Sequence, residues 1–411
     1  MKKIINYKFK PNNTIAKEEI SSAIKVLKSG KLSGFLGSKG EGFLGGKYVR
    51  RFEKKVENFY KVKHAISVNS WTSGLITIIG SLNVEPGDEI IVTPWTMCAT
   101  ATAILHWNCI PVFADIDEKN FCIDPLDIKK KITNKTKAII TVDIFGFPAD
   151  VDKIKSIIKG KNIKIISDNA QAPYAIYKNK ISGTNTDIGG FSFNYHKHVN
   201  TGEGGVIITN SSKLADRARL IRNHGEAVVR DKKNLNNIIG HNFRLGEIEA
   251  AIGIEQYKKL KKIIKNRQIL CRRLTKGLIN LEGLGLPQEN KFRTHNYYIY
   301  PIFLNLKKIR FKRSKIVKLL KDEGVQGLIK GYSNVHNLPI FKQKIAYGSK
   351  GFPWSYLNKK YKKKYSYKCS VAEDLHKKSF IGIEVCLYRL SIKDIDLIIK
   401  SFQKVWKKLK I

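Results

Sequence analysis

Between residues 64 and 170 the chain alternates short apolar runs with segments whose apolar residues recur at helical spacing, and this alternation restricts the fold more than any other feature. HAISV (64–68), EIIVTP (89–94), PVFADI (111–116), KAIITVDIFG (137–146) and NIKIISDNA (162–170) read as strands. WTSGLITIIGSL (71–82), TMCATATAILHW (96–107), PLDIKKKI (125–132) and VDKIKSIIKG (151–160) read as helices between them. Strands that are apolar throughout, rather than at every second residue, are buried on both faces. Their repetition with helices predicts an α/β fold: a large domain with a mostly parallel sheet flanked by helices.

The flanking regions differ. Residues 14–29 read as a helix, with Ile20, Ala23, Ile24 and Leu27 at helical spacing. A glycine-rich stretch, GKLSGFLGSKGEGFLGGK (30–47), follows, and helical periodicity returns over 48–60. GGFSFN (189–194) and GGVIITN (204–210) come close together with no helix between them, and a long helix is expected over 245–280. From about residue 290, NYYIYPIFLN reads as a strand, SKIVKLLKDEG as a helix and residues 392–409 as a terminal helix. The expected division is an N-terminal arm and large domain over 1–285 and a smaller α+β C-terminal domain over 286–411. Residues 337–370 read as an irregular insertion.

Composition narrows the class. Six cysteines at 98, 109, 122, 271, 369 and 386 form no CxxC pair, which points to neither a metal site nor a disulfide framework. No apolar run reaches the roughly 18–20 residues of a membrane span, and the start lacks a signal-peptide core, so the expected location is cytoplasmic. The formal charge of +42 can signal a nucleic-acid partner. Here the excess is spread over the chain, mostly as lysine, with its densest run at Lys359–Lys364. A compositional bias explains it without nucleic acid or membrane, and a positive field would also suit an anionic substrate.

Three strand ends carry candidate chemistry, since open α/β sheets bind ligands beyond the carboxyl ends of their strands. Asp168 closes NIKIISD: it reads as a helix cap or as a desolvated carboxylate in need of a cation. In Asn69-Ser-Trp-Thr72-Ser73-Gly74, hydroxyls meet a helix start, which serves as a cap or as a phosphate cradle. Lys197 lies in FSFNYHKHVNTGEGG (191–205), a short loop between two apolar segments, where a desolvated lysine becomes a nucleophile.

In order and spacing, NSWTSGL, EPGDEIIVTPWTMCATA, PVFADID, DNAQA, SFNYHKHVNTGEGG and GHNFRLGEIEAAIGIEQ resemble the DegT-type nucleotide-sugar aminotransferases, fold-type I enzymes that use pyridoxal 5'-phosphate (PLP). The resemblance runs from about residue 25 to the end. It implies that Lys197 bonds PLP, that Asp168 holds the pyridine nitrogen protonated, and that Gln171 lies against the ring near its 3-hydroxyl. It implies phosphate contacts from Thr72, Ser73 and Ser192, and from Asn242 reaching over from a second subunit of a homodimer with shared sites. The implied reaction moves an amino group from an amino acid, glutamate in this family, to a keto sugar, nucleotide-linked, for amino-sugar and surface-polysaccharide biosynthesis. Two positions depart from the family. Trp71 stands where glycine is common, and Met97 stands where an aromatic usually covers the ring, with Trp95 as the alternative cover. Related sugar dehydratases carry histidine in place of the lysine; His196 and His198 flank Lys197, which is itself present. A catalytically idle basic regulator on the same scaffold is the remaining alternative, and a salt-dependent DNA-binding assay would reveal it.

Overall fold

The computed structural model describes residues 3–37, 40–225, 238–356, 365 and 367–410; the Lys359–Lys364 run lies outside them. Strands β1 (His64–Val68), β2 (Glu89–Val92), β3 (Ile110–Phe113), β4 (Thr136–Val142) and β5 (Lys164–Asp168) form where the apolar runs predict them. Helices α1 (Lys17–Ser29) and α2 (Lys47–Tyr60) precede β1; α3 (Trp71–Ser81), α4 (Cys98–His106), α5 (Pro125–Lys131) and α6 (Val151–Ile157) follow in alternation with the strands. A small hairpin, β6 (Ile176–Tyr177) and β7 (Lys180–Ile181), leads to β8 (Ile188–Ser192) and β9 (Gly205–Thr209).

The large sheet has the order β1-β9-β8-β5-β4-β2-β3. Neighbours from β8 to β3 run parallel, and β9 alone runs against both of its partners. The carboxyl ends of β1, β2, β4, β5 and β8 therefore share one edge of the sheet, and the turn from β8 back into β9 lies on that edge too. Every residue of β2, β3 and β9 is buried, as a sheet covered on both faces requires.

Local chemistry sets the helix starts. Ser70 caps α3 by accepting from the Ser73 amide, and Asp124 caps α5 ahead of Pro125. Helix α1 begins at Lys17, where Glu19 reaches back to the Ala16 amide. Its apolar stripe does not face the core: Ile20, Ile24 and Leu27 are 52%, 43% and 54% exposed. An ion pair withdrawn from solvent ties α2 to the sheet: Glu53 Oε1 accepts from Arg222 Nη1 at 2.6 Å and from the Ser67 amide at 2.8 Å.

Helix α7 (Ser212–Arg222) was not anticipated by the sequence reading, whereas α8 (Glu247–Leu278) fills the expected 245–280 span. A second sheet, of antiparallel pairs in the order β10 (Leu284–Gly285), β11 (Tyr300–Leu304), β13 (Phe380–Ile383), β12 (Leu328–Lys330), packs with α9 (Arg313–Asp322) and the C-terminal helix Ile392–Leu409. The core beneath it also takes Ile5 and Phe9 from the chain start and Leu274 and Leu278 from the end of α8.

Described residues of the 337–370 segment pack on the large domain. Phe341, Trp354 and Tyr365 belong to the core of the large sheet. Tyr365 OH donates to Glu89 Oε1 at 2.7 Å, and just before the segment the Val335 amide donates to Pro94 O at 2.9 Å. Tyr365 thus meets the amino end of β2, whereas Val335 meets the chain just beyond its carboxyl end.

Candidate active site

Asp168 is the last residue of β5 and is 4% exposed. Trp71 Nε1 and the Ala170 amide donate to its Oδ1 at 2.8 and 3.1 Å. Thr100 Oγ1 donates to Oδ2 at 2.9 Å. Burial pushes the carboxyl up from its ordinary range, while the Ala170, Thr100 and Trp71 donors and the charge of Lys197 pull it back. Among the described residues Oδ2 carries one donor and Oδ1 two, so one acceptor position remains on Oδ2. A buried carboxylate with a vacant acceptor position suits a protonated ring nitrogen.

Lys197 sits in the turn between β8 and β9, its amide bonded to Asn194 O at 2.9 Å. Its Nζ lies 4.6 Å from the centre of the Tyr298 ring. Burial lowers the ammonium to about 8, against the opposing pull of Asp168 and then Cys386. An amine withdrawn from water in this way is partly neutral, and so nucleophilic, near physiological pH. The flanking histidines are no substitute. His196 is lowered to about 4, first by burial and then by Lys197. His198 is fully buried, with Nε2 against Asn296 O at 3.1 Å.

Gln171 is fixed at both ends of its amide. Its Oε1 accepts from the Phe145 amide at 2.6 Å, and its Nε2 donates to Tyr332 OH at 3.1 Å. Tyr332 follows β12 in the second sheet, so this bond joins the two parts of the molecule at the site.

The β1–α3 turn is the stretch that the sequence marks as a helix cap or phosphate cradle. Helix α3 leaves its first amides without intrahelical partners; Ser70 Oγ takes that of Ser73, which leaves those of Trp71 and Thr72. Thr72 is exposed, and its hydroxyl has no partner among the described residues. Ser73 differs: it is 7% exposed, and its hydroxyl donates to Asn69 Oδ1 at 2.7 Å, which turns it inward. Ser192 is half-buried at the end of β8, where its hydroxyl accepts from the Asn194 amide at 3.3 Å. Asn242 is exposed, and its carbonyl lies 3.4 Å from Asn69 Nδ2, at the margin of the same turn.

The two candidate covers differ in exposure. Trp95 is wholly buried: it stacks on Phe121 at 5.8 Å, meets Phe380 edge-on, and donates its indole N–H to Asn334. It has no face left for a ligand. Met97 is the N-cap residue of α4 and is 61% exposed; its sulfur accepts from Cys98 Sγ at 3.6 Å, and a thioether can pack on a ring face.

Sequence reasoning missed Thr100, Tyr298 and Tyr332, and it saw Trp71 only as a departure. A threonine on an alanine-rich helix and two of the chain's 17 tyrosines carry no local signal. The residues present nonetheless fit PLP. They provide an amine lowered to about 8, a buried acid with an acceptor position open, and a helix start with free amides. Among the described residues no group of His, Cys, Asp and Glu gathers as a metal site, and no helix is long and apolar enough to cross a membrane.

Known proteins resemble the chain over most of its length. The spore coat polysaccharide biosynthesis protein SpsC of Bacillus subtilis is 32% identical over 347 residues, covering 82% of this chain and 86% of that protein. The GDP-perosamine synthase of Escherichia coli O157:H7 is 33% identical over 299 residues, covering 73% and 80%. The solved structure of Helicobacter pylori PseC, an aminotransferase involved in the biosynthesis of pseudoaminic acid, superposes with a TM-score of 0.80 at 27% identity, covering 98% of this chain and 100% of that one. The family model described as DegT/DnrJ/EryC1/StrS aminotransferase matches residues 14–361, and the chain belongs to that family.

Proposed function

We propose that this chain moves an amino group from an amino acid, L-glutamate, to a keto sugar carried on a nucleotide, in the making of amino sugars for surface polysaccharide. One observation carries the reading: Lys197 and Asp168 are both withdrawn from water, each shifts the other's proton affinity, and Asp168 closes β5 while Lys197 lies in the turn that leaves the neighbouring strand β8. When bound, PLP supplies an aldehyde carbon that takes up amino groups and a ring that accepts the electron pair left by a departing proton. Asp168 holds a proton on the ring nitrogen through Oδ2. Lys197 Nζ would hold the aldehyde, and as a free amine it would move a proton as base and then as acid. Gln171 would lie by the 3-hydroxyl, and Met97 would cover the ring.

For the phosphate, the Trp71 and Thr72 amides, the Thr72 hydroxyl and Ser192 stand on one chain. Asn242 from a second copy completes the set, and Ser73 supports the cradle by bonding Asn69. The outward stripe Ile20, Ile24 and Leu27 on α1 supports a homodimer, because a soluble chain rarely leaves such a stripe in water. A lysine where related dehydratases carry histidine favours amino transfer over loss of water. The chain's positive field suits the acceptor's diphosphate, and we place the reaction in the cytoplasm.

The test is a panel of nucleotide-linked keto sugars offered with glutamate to PLP-loaded protein. One of them should yield an amino sugar together with 2-oxoglutarate, and Lys197→Ala should yield neither. Failure across GDP-, UDP- and dTDP-linked acceptors would overturn the acceptor class.

A further inference from the structure

We infer that Trp71 is a positioning residue for Asp168: its indole N–H holds Oδ1, so that Oδ2 is the oxygen presented to the pyridine nitrogen of the cofactor. The inference rests on the PLP reading above for its purpose, but the bond itself belongs to the chain alone.

The donor count fixes which oxygen is free. Trp71 Nε1 at 2.8 Å and the Ala170 amide at 3.1 Å fill Oδ1, and Thr100 leaves one position open on Oδ2. A carboxylate without Trp71 would be free to present either oxygen. The donor type matters as much. An indole N–H donates one hydrogen bond and carries no charge. A lysine or arginine in its place would orient Asp168 equally well, but it would neutralise the carboxylate and compete with the ring cation.

The indole occupies a niche made for it. Trp71 is 6% exposed. A Cβ at Gly74 would stand 2.7 Å from Trp71 Cε3 and 2.9 Å from Cζ3, with the nearest atom outside that ring, Val68 Cγ2, at 3.4 Å, so the absence of a side chain there is explained by the indole. A Cβ at Gly190 would stand 2.5 Å from Trp71 Cζ3, although Val206 O, at 2.0 Å, already excludes one. Gly190 is also the residue that pairs with Asp168 across β5 and β8. The ring thus lies against the strand end that carries the acid.

Trp71 is also the first residue of α3, and its own amide is among those open to the phosphate. One residue therefore sets both ends of the cofactor: backbone at the phosphate, side chain behind the ring nitrogen. A glycine, common at this place in the resembling family, does only the first.

The test compares the full chain with Trp71→Phe, which removes the N–H and keeps an aromatic ring. In cofactor-free protein carrying 13C-labelled aspartate, with Asp168 identified by its loss in Asp168→Asn, the Asp168 midpoint should rise by about one pH unit or more, the scale of one lost hydrogen bond to a charged group. An unchanged midpoint overturns the inference, whether or not the protein uses PLP. In loaded protein carrying 15N-labelled PLP, the ring nitrogen of Trp71→Phe should give up its proton at lower pH than in the parent; identical titrations would count against the role. A parent chain that takes up no PLP would defeat the cofactor reading and leave the apo result standing. Should Trp71→Phe fail to fold, the Trp71 indole resonance, identified by replacing the other tryptophans singly, should move upfield in Asp168→Asn. A resonance that stays in place would overturn the inference by that route.

Discussion

Asp168 ends β5 in register with Gly190 of β8, and the turn that leaves β8 brings back Lys197, whose charge draws Asp168 down while Asp168 holds Lys197 up. The acid is thus fixed at a strand end and the amine in the turn that leaves the neighbouring strand, and the expected behaviour of variants follows from that.

Lys197→Ala should lower kcat by at least about 10²–10⁴-fold, the usual worth of a positioned acid–base group, with an unchanged circular dichroism spectrum. Steady-state turnover with the accepted sugar measures it.

Uptake of PLP by cofactor-free protein should speed up as pH rises through about 8, because the neutral Lys197 amine is the reactive form. Asp168→Asn removes the charge that holds the lysine up, so the same rise should come at lower pH. Rapid-mixing absorbance against pH reads both midpoints.

Glu53→Ala should destabilise the fold by about 3–5 kcal/mol, the cost of leaving a buried charge alone. Arg222 would lose its 2.6 Å partner, and the Ser67 amide would lose its acceptor. Denaturant melts of the two proteins compare this directly.

Tyr332→Phe should cost about 0.5–1.5 kcal/mol of stability through the lost Gln171 bond. It should weaken PLP binding more than it slows turnover, because in the proposed site Gln171 would touch the cofactor and not the transferred group. Equilibrium PLP titration beside kinetics separates the two.

Much of this was legible from residue order. The apolar runs give the strands of the parallel sheet because burial on both faces leaves no polar alternation to mislead the reading. The terminal helix over 392–409 announces itself through Ile395, Ile398, Phe402 and Val405 at helical spacing behind a Ser391 cap. Helix α7 was missed because its buried face includes Ala215, Ala218 and Arg222, which barely register as apolar. Strand β13 is four residues with a glycine inside, too short to stand out. The contacts of Asp168 were out of reach for another reason. Trp71 and Thr100 lie 97 and 68 residues away, and Tyr332 is 161 from Gln171, so no periodicity links them. The stripe on α1 was visible as a pattern, but spacing says only that residues share a face, not which way the face turns.

The most direct measurement is borohydride reduction of the PLP-loaded protein followed by peptide mass mapping. The account expects the phosphopyridoxyl group on Lys197, and no fixed label in Lys197→Ala. A label on another lysine, or undiminished labelling of the variant, would contradict it.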